Sequence, residues 1–246
     1  MTGASVSTAS FTVATFNLHR GKPERQFPAF LRRLTSLDID ILLVQEADRK
    51  TPRNPRTDHV AAIAKAMGAS DYAFLPARGR FRTFLGRGGR AKLGGSGQGI
   101  GIISRFPVRS FTAHDLSTNE SLLRFTPPRL HVDQPRQLLI ARVRVPGGDL
   151  TVGCTHLSWR PGVTGEQLAQ VDQIMRDEPG PHLLGGDFNQ RRNRTGWPAL
   201  AEHATFPAHA PAHQIDYLVG DVVSEDSGTL RMSVSDHLLL WSRMSL

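Results

Sequence analysis

Hydrophobic residues in this chain are grouped in short runs separated by polar stretches, a pattern that predicts a mixed α/β fold. Eight runs are rich in β-branched residues, as strands are: FTVATFN (11–17), DIDILLVQE (38–46), GIGIIS (99–104), RQLLIARVRV (136–145), LTVGCTHL (150–157), HLLGGDF (182–188), QIDYLVG (214–220) and HLLLWSR (237–243). Helical spacing of apolar residues occurs between them, at 24–37, 58–67 and 165–176. The Pro-Gly-Gly of VRVPGGDLTV predicts a hairpin, and hence a sheet that is not purely parallel.

The composition is typical of a globular protein, with 39% of the 246 residues hydrophobic and 21% charged. With no internal repeat or long linker, the simplest expectation is one domain over 1–246, of which 1–10 is a loose N-terminal tail. No apolar run approaches the roughly 20 residues needed to cross a membrane, so we expect no stable membrane insertion. The chain does not begin like a secretory signal, and its single cysteine, Cys154, excludes an intrachain disulfide. We therefore expect a cytoplasmic monomer.

The net charge of +8 is unevenly distributed along the chain. The segment from Tyr72 to His114 contains no acidic residue, and it carries Arg78, Arg80, Arg82, Arg87, Arg90, Lys92, Arg105 and Arg109. Such a segment attracts polyanions, either nucleic acid or anionic lipid. A solvated, flexible loop explains the same composition equally well. Arg78, Arg80 and Arg82 are nevertheless candidate substrate contacts.

Polar side chains repeatedly stand where an apolar strand ends or begins. They are Asn17, Glu46, His156, Asp187, Asn189, Asp216, Asp236 and His237. Buried polar groups need partners, and strand ends of one sheet lie side by side, so these side chains are expected to converge. Oxygen ligands of this kind suit Mg²⁺ or Mn²⁺ rather than zinc. Each residue taken alone is more often a turn residue; the prediction depends on the whole set.

Six motifs contain these residues and a seventh, GIGIISRFPV, lies among them, in the order TFNLHRG (15–21), VQEADR (44–49), GIGIISRFPV (99–108), THLSW (155–159), GGDFN (185–189), QIDYLV (214–219) and SDH (235–237). Together they resemble the motif set of the endonuclease/exonuclease/phosphatase superfamily, which has the fold of pancreatic deoxyribonuclease. The resemblance implies an α/β fold: a four-layer α/β/β/α sandwich of two mixed sheets flanked by helices. It also implies hydrolysis of a phosphate ester that depends on Mg²⁺ (or Mn²⁺).

The resemblance also implies roles for individual residues. Glu46, Asn17 and Asp236 match metal ligands of the family. Asp187 and Asn189 match the pair that orients the attacking water and contacts the phosphate or a metal. His237 matches a histidine that is paired with an acid at Asp216, and His156 matches a phosphate contact or general acid.

Some positions depart from the family pattern. His19 stands where relatives carry an acid, and it is a candidate phosphate contact or an ordinary loop histidine. Ile100 stands where many relatives have an amide, so one possible contact that supports the metal-binding side chains is missing. Arg105 is a candidate phosphate contact, with a strand-end ion pair as the alternative. Trp159 and Trp197 follow strand ends, where they either stack on a base or pack internally.

Three functions are consistent with these features. The first is a metal-dependent phosphodiesterase that cleaves nucleic acid by in-line attack of water. The second is a phosphatase or phosphodiesterase acting on a lipid headgroup or a small phosphorylated metabolite. The third is an inactive module that binds nucleic acid or membrane. The complete set of polar residues argues against the third, because binding alone does not require all of them.

Overall fold

The computed structural model describes residues 9–77, 89–90, 93–117, 123–126, 129–132 and 135–246. Three helices are present in these residues: α1 (Phe27–Thr35), α2 (His59–Met67) and α3 (Pro161–Asp177). Short 3₁₀ turns precede α1 at His19–Gly21 and Glu24–Gln26. The strands are β1 (Phe11–Asn17), β2 (Ile41–Thr51), β3 (Asn54–Asp58), β4 (Asp71–Pro76), β5 (Gly89–Arg90), β6 (Gly97–Ser104), β7 (Val108–Asp115), β8 (Leu123–Thr126), β9 (Arg129–Val132), β10 (Gln137–Val145), β11 (Gly148–His156), β12 (His182–Asp187), β13 (Asp216–Gly220), β14 (Val223–Arg231) and β15 (Leu238–Ser245).

These strands form two large mixed sheets and one small hairpin. The first sheet has the order β14-β15-β1-β2-β6-β4, with β3 paired to β2. The second has the order β13-β12-β11-β10-β7-β5, and β8 pairs only with β9. Each large sheet contains one parallel pair, β1–β2 in the first and β11–β12 in the second. The predicted hairpin is confirmed by the antiparallel pairing of β10 with β11.

The sheets pack face to face, and helices cover their outer faces. Successive residues of a strand point to opposite faces, so Leu43 faces the interior between the sheets while Leu42 and Val44 pack beneath α1 and α2. The other outer face is covered by α3, whose Val171 and Met175 join a separate apolar cluster. Because both faces of the central strands are buried, their sequences are continuously apolar. The predicted four-layer α/β/β/α sandwich is confirmed.

All eight predicted strands exist, with shifted ends, and several others were missed. The strand β14 was missed because it is an exposed sheet edge, with the polar sequence VSEDSGTLR. The predicted helix at 58–67 is α2, capped by Asp58, whose carboxylate accepts a hydrogen bond from the Ala61 amide at 3.1 Å. The predicted helix at 24–37 is instead a 3₁₀ turn followed by α1. No helix in the described ranges is long and apolar enough to cross a membrane.

The topology brings the polar strand ends of the two sheets together. In the first sheet β1 ends at Asn17, beside Gln45 of β2, and the antiparallel β15 begins nearby, just after His237. In the second sheet His156 pairs with Asp187, which in turn pairs with Asp216. Residues far apart in sequence therefore meet at one end of the two sheets, which we call the polar end.

Candidate active site

Asp187 lies at the centre of the polar residues at the polar end of the sheets and is 2% exposed. Its Oδ2 accepts a hydrogen bond from Asn17 Nδ2 at 2.9 Å, and it lies 3.5 Å from His156 Nε2 and 4.0 Å from His237 Nε2. Its Oδ1 accepts a hydrogen bond from the Asn189 amide at 2.9 Å. Burial, and then the nearby charge of Asp216, raise the pKa of Asp187 well above its usual range. This carboxylate is therefore able to exchange a proton near neutral pH.

His237 is held by a second buried carboxylate, that of Asp216. Its Nδ1 lies 2.9 Å from Asp216 Oδ2, which leaves Nε2 directed toward Asp187. Burial lowers the pKa of His237, but the charge of Asp216 and the hydrogen bond to it outweigh burial, so the pKa rises to about 9. The imidazole is thus a cation at neutral pH. The other oxygen of Asp216, Oδ1, is buried and has no hydrogen-bond partner among the described residues.

His156 lies on the other side of Asp187 and has the opposite electrostatic character. Burial lowers its pKa well below the usual value, and the positive charges of Arg136 and His237 lower it further. Asp187 therefore lies between a neutral imidazole and a positively charged one. Such a combination can accept a proton at one position and stabilise negative charge at another.

A β-bulge places Glu46 at the polar end. The pairing of β2 with β6 shifts between Val44 and Ala47, so that Gln45 and Glu46 together oppose Ile100. Glu46 has a positive φ of 52°, which turns its side chain away from the regular alternation of the strand. Its Oε2 accepts a hydrogen bond from Gln98 Nε2 at 3.0 Å. An amide side chain thus contacts Glu46, but it comes from Gln98 and not from position 100.

Asp236 and Glu46 form the more open part of the site, and each has a positively charged or protonatable neighbour. His19 Nδ1 lies 2.5 Å from Asp236 Oδ1, and both side chains are 44% exposed. Arg20 Nε lies 3.4 Å from Glu46 Oε2. The amide of His19 also donates to Asn17 Oδ1 at 2.9 Å. The imidazole of His19 is thus directed at a carboxylate in this structure, and His19 also lines the open cavity next to Asp236.

Most of the residues predicted for the site are brought together, but Arg105 is not. The side chain of Asn189 donates to the carbonyl of Leu157 at 2.9 Å, which joins the loops after β11 and β12. Arg105 lies at the opposite end of its sheet, just after β6. There it donates to the carbonyl of Met67 at 2.9 Å and lies 3.3 Å from Asp38. This position favours the strand-end ion pair over a phosphate contact. Arg78, Arg80 and Arg82 lie outside the described residues.

Four residues near the site were missed by sequence reasoning. Ser235, within the SDH motif, accepts a hydrogen bond from the His237 amide and donates one to the Asn17 carbonyl, so it ties β15 to β1. Arg136 lines a narrow crevice with Glu46 and His156. Arg20 and Gln98 contact Glu46 as described. The available signals were that Arg20 lies close in sequence to Asn17 and that Gln98 immediately precedes GIGIIS. The partner of Gln98 is identified only by the pairing of β2 with β6, and that of Arg20 only by the packing of the 3₁₀ turn against β2.

Two sets of side chains could hold a cation. Ligand atoms of Asp187, Asp216 and His237 lie within 4.8 Å of one another, but His237 and Asp216 already use one such atom each for their mutual hydrogen bond. The second set, which the resemblance implies, consists of the carboxylates of Glu46 and Asp236 with the amide oxygen of Asn17. Two adjacent residues connect it: His19 contacts Asn17 and Asp236, and Arg20 contacts Glu46. This second set offers only oxygen donors, which hard divalent cations prefer.

Comparison with known proteins agrees with the geometry. The model of the Endonuclease/Exonuclease/phosphatase family matches residues 14–237. A search of curated proteins found no match. Similar solved structures include a family protein from Bacteroides thetaiotaomicron, with a TM-score of 0.67, 16% identity and coverage of 96% of this chain and 97% of that one.

Two eukaryotic structures share the fold. The human Nocturnin catalytic domain with bound sulfate has a TM-score of 0.60 and 16% identity, over 96% of this chain and 93% of that one. Truncated TDP2 from Caenorhabditis elegans has a TM-score of 0.59 and 16% identity, over 96% and 98% respectively. At such identities these likenesses concern the fold.

Proposed function

Because this chain belongs to the endonuclease/exonuclease/phosphatase family, we propose that it is a divalent-metal-dependent hydrolase of phosphate esters. More specifically, we propose a phosphodiesterase that cleaves nucleic acid by in-line attack of water. The observation that carries the proposal is the position of Asp187, a buried carboxylate in contact with Asn17 and placed between His156 and His237.

In the proposed reaction, Asp187 accepts a proton from the attacking water. The raised pKa of this carboxylate supports the assignment, because a stronger base accepts a proton more readily. His237, kept cationic by Asp216, stabilises the negative charge on the phosphoryl oxygens. His156, which is neutral, donates a hydrogen bond to the phosphate, and Asn17 fixes the orientation of the Asp187 carboxylate.

We propose that Glu46, Asp236 and Asn17 hold the metal. The donor set fits: two carboxylates on the open part of the site and one amide oxygen form an all-oxygen set suited to Mg²⁺ or Mn²⁺. A bound ion would neutralise charge at the phosphoryl and leaving-group oxygens. In this structure Arg20 contacts the carboxylate of Glu46, His19 contacts that of Asp236, and Gln98 holds Glu46 in the bulge. These three side chains therefore set how strongly the carboxylates attract a cation.

A nucleic-acid substrate is supported by charge. The net charge of +8 favours binding of polyanions. Next to Asp236 lies an open cavity of about 660 Å³, which is also lined by Arg20, Lys22 and Arg53. A cavity of this size and charge accommodates a phosphate group of a neighbouring nucleotide, although it also accommodates a small phosphorylated metabolite.

The test is a panel of substrates assayed with Mg²⁺, with Mn²⁺ and with a chelator. The substrates are plasmid DNA, single-stranded DNA, RNA, bis(p-nitrophenyl) phosphate and p-nitrophenyl phosphate. Wild type is compared with Asp187→Asn and with a matched control, Asp149→Asn. The control is a change of the same kind in the β10–β11 hairpin, at the opposite end of the sheet from the polar end. We expect wild type and the control to hydrolyse phosphodiesters with metal, and Asp187→Asn to lose that activity.

Two outcomes contradict parts of the proposal. Equal residual rates for wild type and Asp187→Asn on every substrate would exclude the proposed enzymatic activity. Hydrolysis confined to the monoester or to small diesters, with nucleic acids untouched, would exclude the nuclease and leave the phosphoesterase.

A further inference from the structure

The most exposed aromatic side chain of the described residues lies beside the candidate active site. Trp159 is 63% exposed, whereas Trp197 is 6% exposed and packs in the core, which settles the packing alternative for Trp197. Trp159 lies three residues beyond His156, in the loop between β11 and α3. A large indole left in water has not gained the free energy of burial, and a partner that covers it would provide that gain.

The backbone of the two residues that precede Trp159 is held by hydrogen bonds. The amide of Leu157 donates to the Asp187 carbonyl at 2.9 Å, and the amide of Ser158 donates to Gln167 Oε1 at 2.9 Å. Thr164 Oγ1 donates to the Ser158 carbonyl at 2.5 Å, so the loop is also tied to α3. The indole therefore stands on a rigid support. A rigid surface loses little conformational entropy when a ligand binds to it.

The neighbouring loop is rich in arginine. The strands β11 and β12 are parallel, and His156 pairs with Asp187, so the loops that follow them leave the sheet side by side. The hydrogen bond from Asn189 to Leu157 joins the two loops. Arg191 and Arg192 follow Asn189, are exposed, and line a cavity of about 270 Å³. One loop thus presents an aromatic ring, and the adjacent loop presents cationic groups.

We propose that these two loops form a binding subsite for a single-stranded nucleotide segment next to the scissile phosphate. Trp159 stacks on one nucleobase, and Arg191 and Arg192 contact phosphates of the same strand. An aromatic platform beside cationic side chains is the combination by which proteins bind single strands, because only unpaired bases expose their faces. This inference rests on the proposed function, since it names the substrate class of that site: a base-bearing, single-stranded phosphodiester.

The subsite is tested by binding, in the full-length Asp187→Asn background. The probes are a deoxythymidine tetranucleotide and an abasic tetranucleotide of the same charge, followed by intrinsic fluorescence and by calorimetry. We expect Trp159→Ala to weaken binding of the thymidine oligonucleotide about 5- to 150-fold, which corresponds to about 1–3 kcal/mol per stacked base. Binding of the abasic oligonucleotide should be unchanged, and Trp159→Phe should retain most of the affinity.

The arginines are tested with the same probes. Arg191→Gln with Arg192→Gln should weaken both oligonucleotides alike and reduce the salt dependence of binding. Three results would overturn the subsite: Trp159→Ala affecting neither probe, affecting both equally, or abolishing binding to phosphatidylserine vesicles while the oligonucleotides do not bind at all. Hydrolysis of bis(p-nitrophenyl) phosphate by the wild type is measured in parallel. If that activity is present while the subsite test fails, the proposed function stands and the subsite alone is rejected.

Discussion

Among the described residues are two clusters in which a buried histidine and a buried aspartate occur together, and their differences indicate which one is suited to chemistry. One is the candidate catalytic cluster at the polar end, formed by Asn17, His156, Asp187, Asp216 and His237. The other, the Asp48 cluster, lies below Glu46 and is formed by Asp48, Thr51, Arg53, Asn54 and His59. Asp48 and Asp216 are both fully buried, and His59 and His237 are 1% and 6% exposed. Burial alone therefore does not distinguish them.

The Asp48 cluster satisfies its own hydrogen bonds. The carboxylate of Asp48 binds Arg53 through two bonds, at 2.6 and 2.8 Å, and also accepts from Asn54 at 3.0 Å. The amide of Asp48 donates to Nδ1 of His59 at 3.0 Å. Burial lowers the pKa of His59 to about 4, so its imidazole is neutral and serves as an acceptor. Each charge here has its partner within the fold, as expected of a structural cluster.

The candidate catalytic cluster does not satisfy all of its charges and hydrogen-bonding groups. Asp187 and Asp216 are two buried carboxylates near each other, and His237 is the cation between them. One oxygen of Asp216 has no hydrogen-bond partner among the described residues. Shifted pKa values at a strand-end site, with polar groups left unsatisfied, are typical of functional sites. The two clusters therefore differ less in burial than in how fully their charges and hydrogen-bonding groups find partners within the fold.

The largest expected effect comes from Asp187→Asn. The substitution removes the candidate base, so the rate of phosphodiester hydrolysis should fall about 10²- to 10⁴-fold. The free energy of unfolding should change little, because relief of the repulsion between two buried carboxylates opposes the loss of one of the two hydrogen bonds that Asp187 accepts. Rates on bis(p-nitrophenyl) phosphate and the urea dependence of circular dichroism check both points. If unfolding became easier while hydrolysis stayed near the wild-type rate, the two clusters would have been assigned the wrong way round.

A smaller loss is expected for Asp216→Asn and His237→Gln, each of which should slow hydrolysis about 10²-fold or more. The two residues act as one unit, since Asp216 both orients His237 and keeps it protonated. Removing both should therefore slow the reaction little more than removing one. Additive losses in this double-mutant cycle, measured as kcat/KM, would show that the two side chains act independently.

His59 predicts a pH dependence of stability and not of chemistry. Its pKa in the folded protein, about 4, lies below the ordinary 6.5. The unfolded chain therefore takes up a proton first, and stability is lost as pH falls from about 6.5 to about 4. The loss attributable to His59 reaches about 3 kcal/mol at pH 4. Urea unfolding at several pH values should show this loss in wild type but not in His59→Gln, while carboxylate titrations affect both alike.

The smallest effect is expected for Asp48→Ala. Removing this carboxylate leaves Arg53 and Asn54 without their acceptor and should destabilise the fold by about 2 kcal/mol. Hydrolysis by the folded fraction should fall far less than in Asp187→Asn. A modest decrease is expected, because Arg53 Nη2 also lies 3.5 Å from Gln98 Oε1, and Gln98 holds Glu46. Thermal unfolding, followed by rate measurements below the transition, separates the two contributions.

Much of the fold followed from local pattern. The continuous apolar run ILLV (41–44) indicated a strand buried on both faces, and Asp58 with Gly68 marked the limits of α2. The exposed edge strand β14 was not predictable in this way, since its residues are mostly polar and its pairing partner, not its own pattern, makes it a strand. The bulge at Glu46 was equally invisible, because it arises from the register between β2 and β6.

The sequence by itself determined which chemical groups are present and in what order, because strand-end acids, amides and histidines can be recognised from the runs that precede them. It also determined the layers, since the alternation and length of apolar runs specify which faces are buried. Tertiary structure decided which groups meet. The pairing of β11, β12 and β13 joins His156 to Asp187, and only the packing of the two sheets brings His237 to the other side of Asp187. Only the β2–β6 register gives Glu46 its Gln98, and only packing places Arg105 at the far end of its sheet. Proton affinity depends on such neighbours and on burial, so the character of each titratable group was decided there as well.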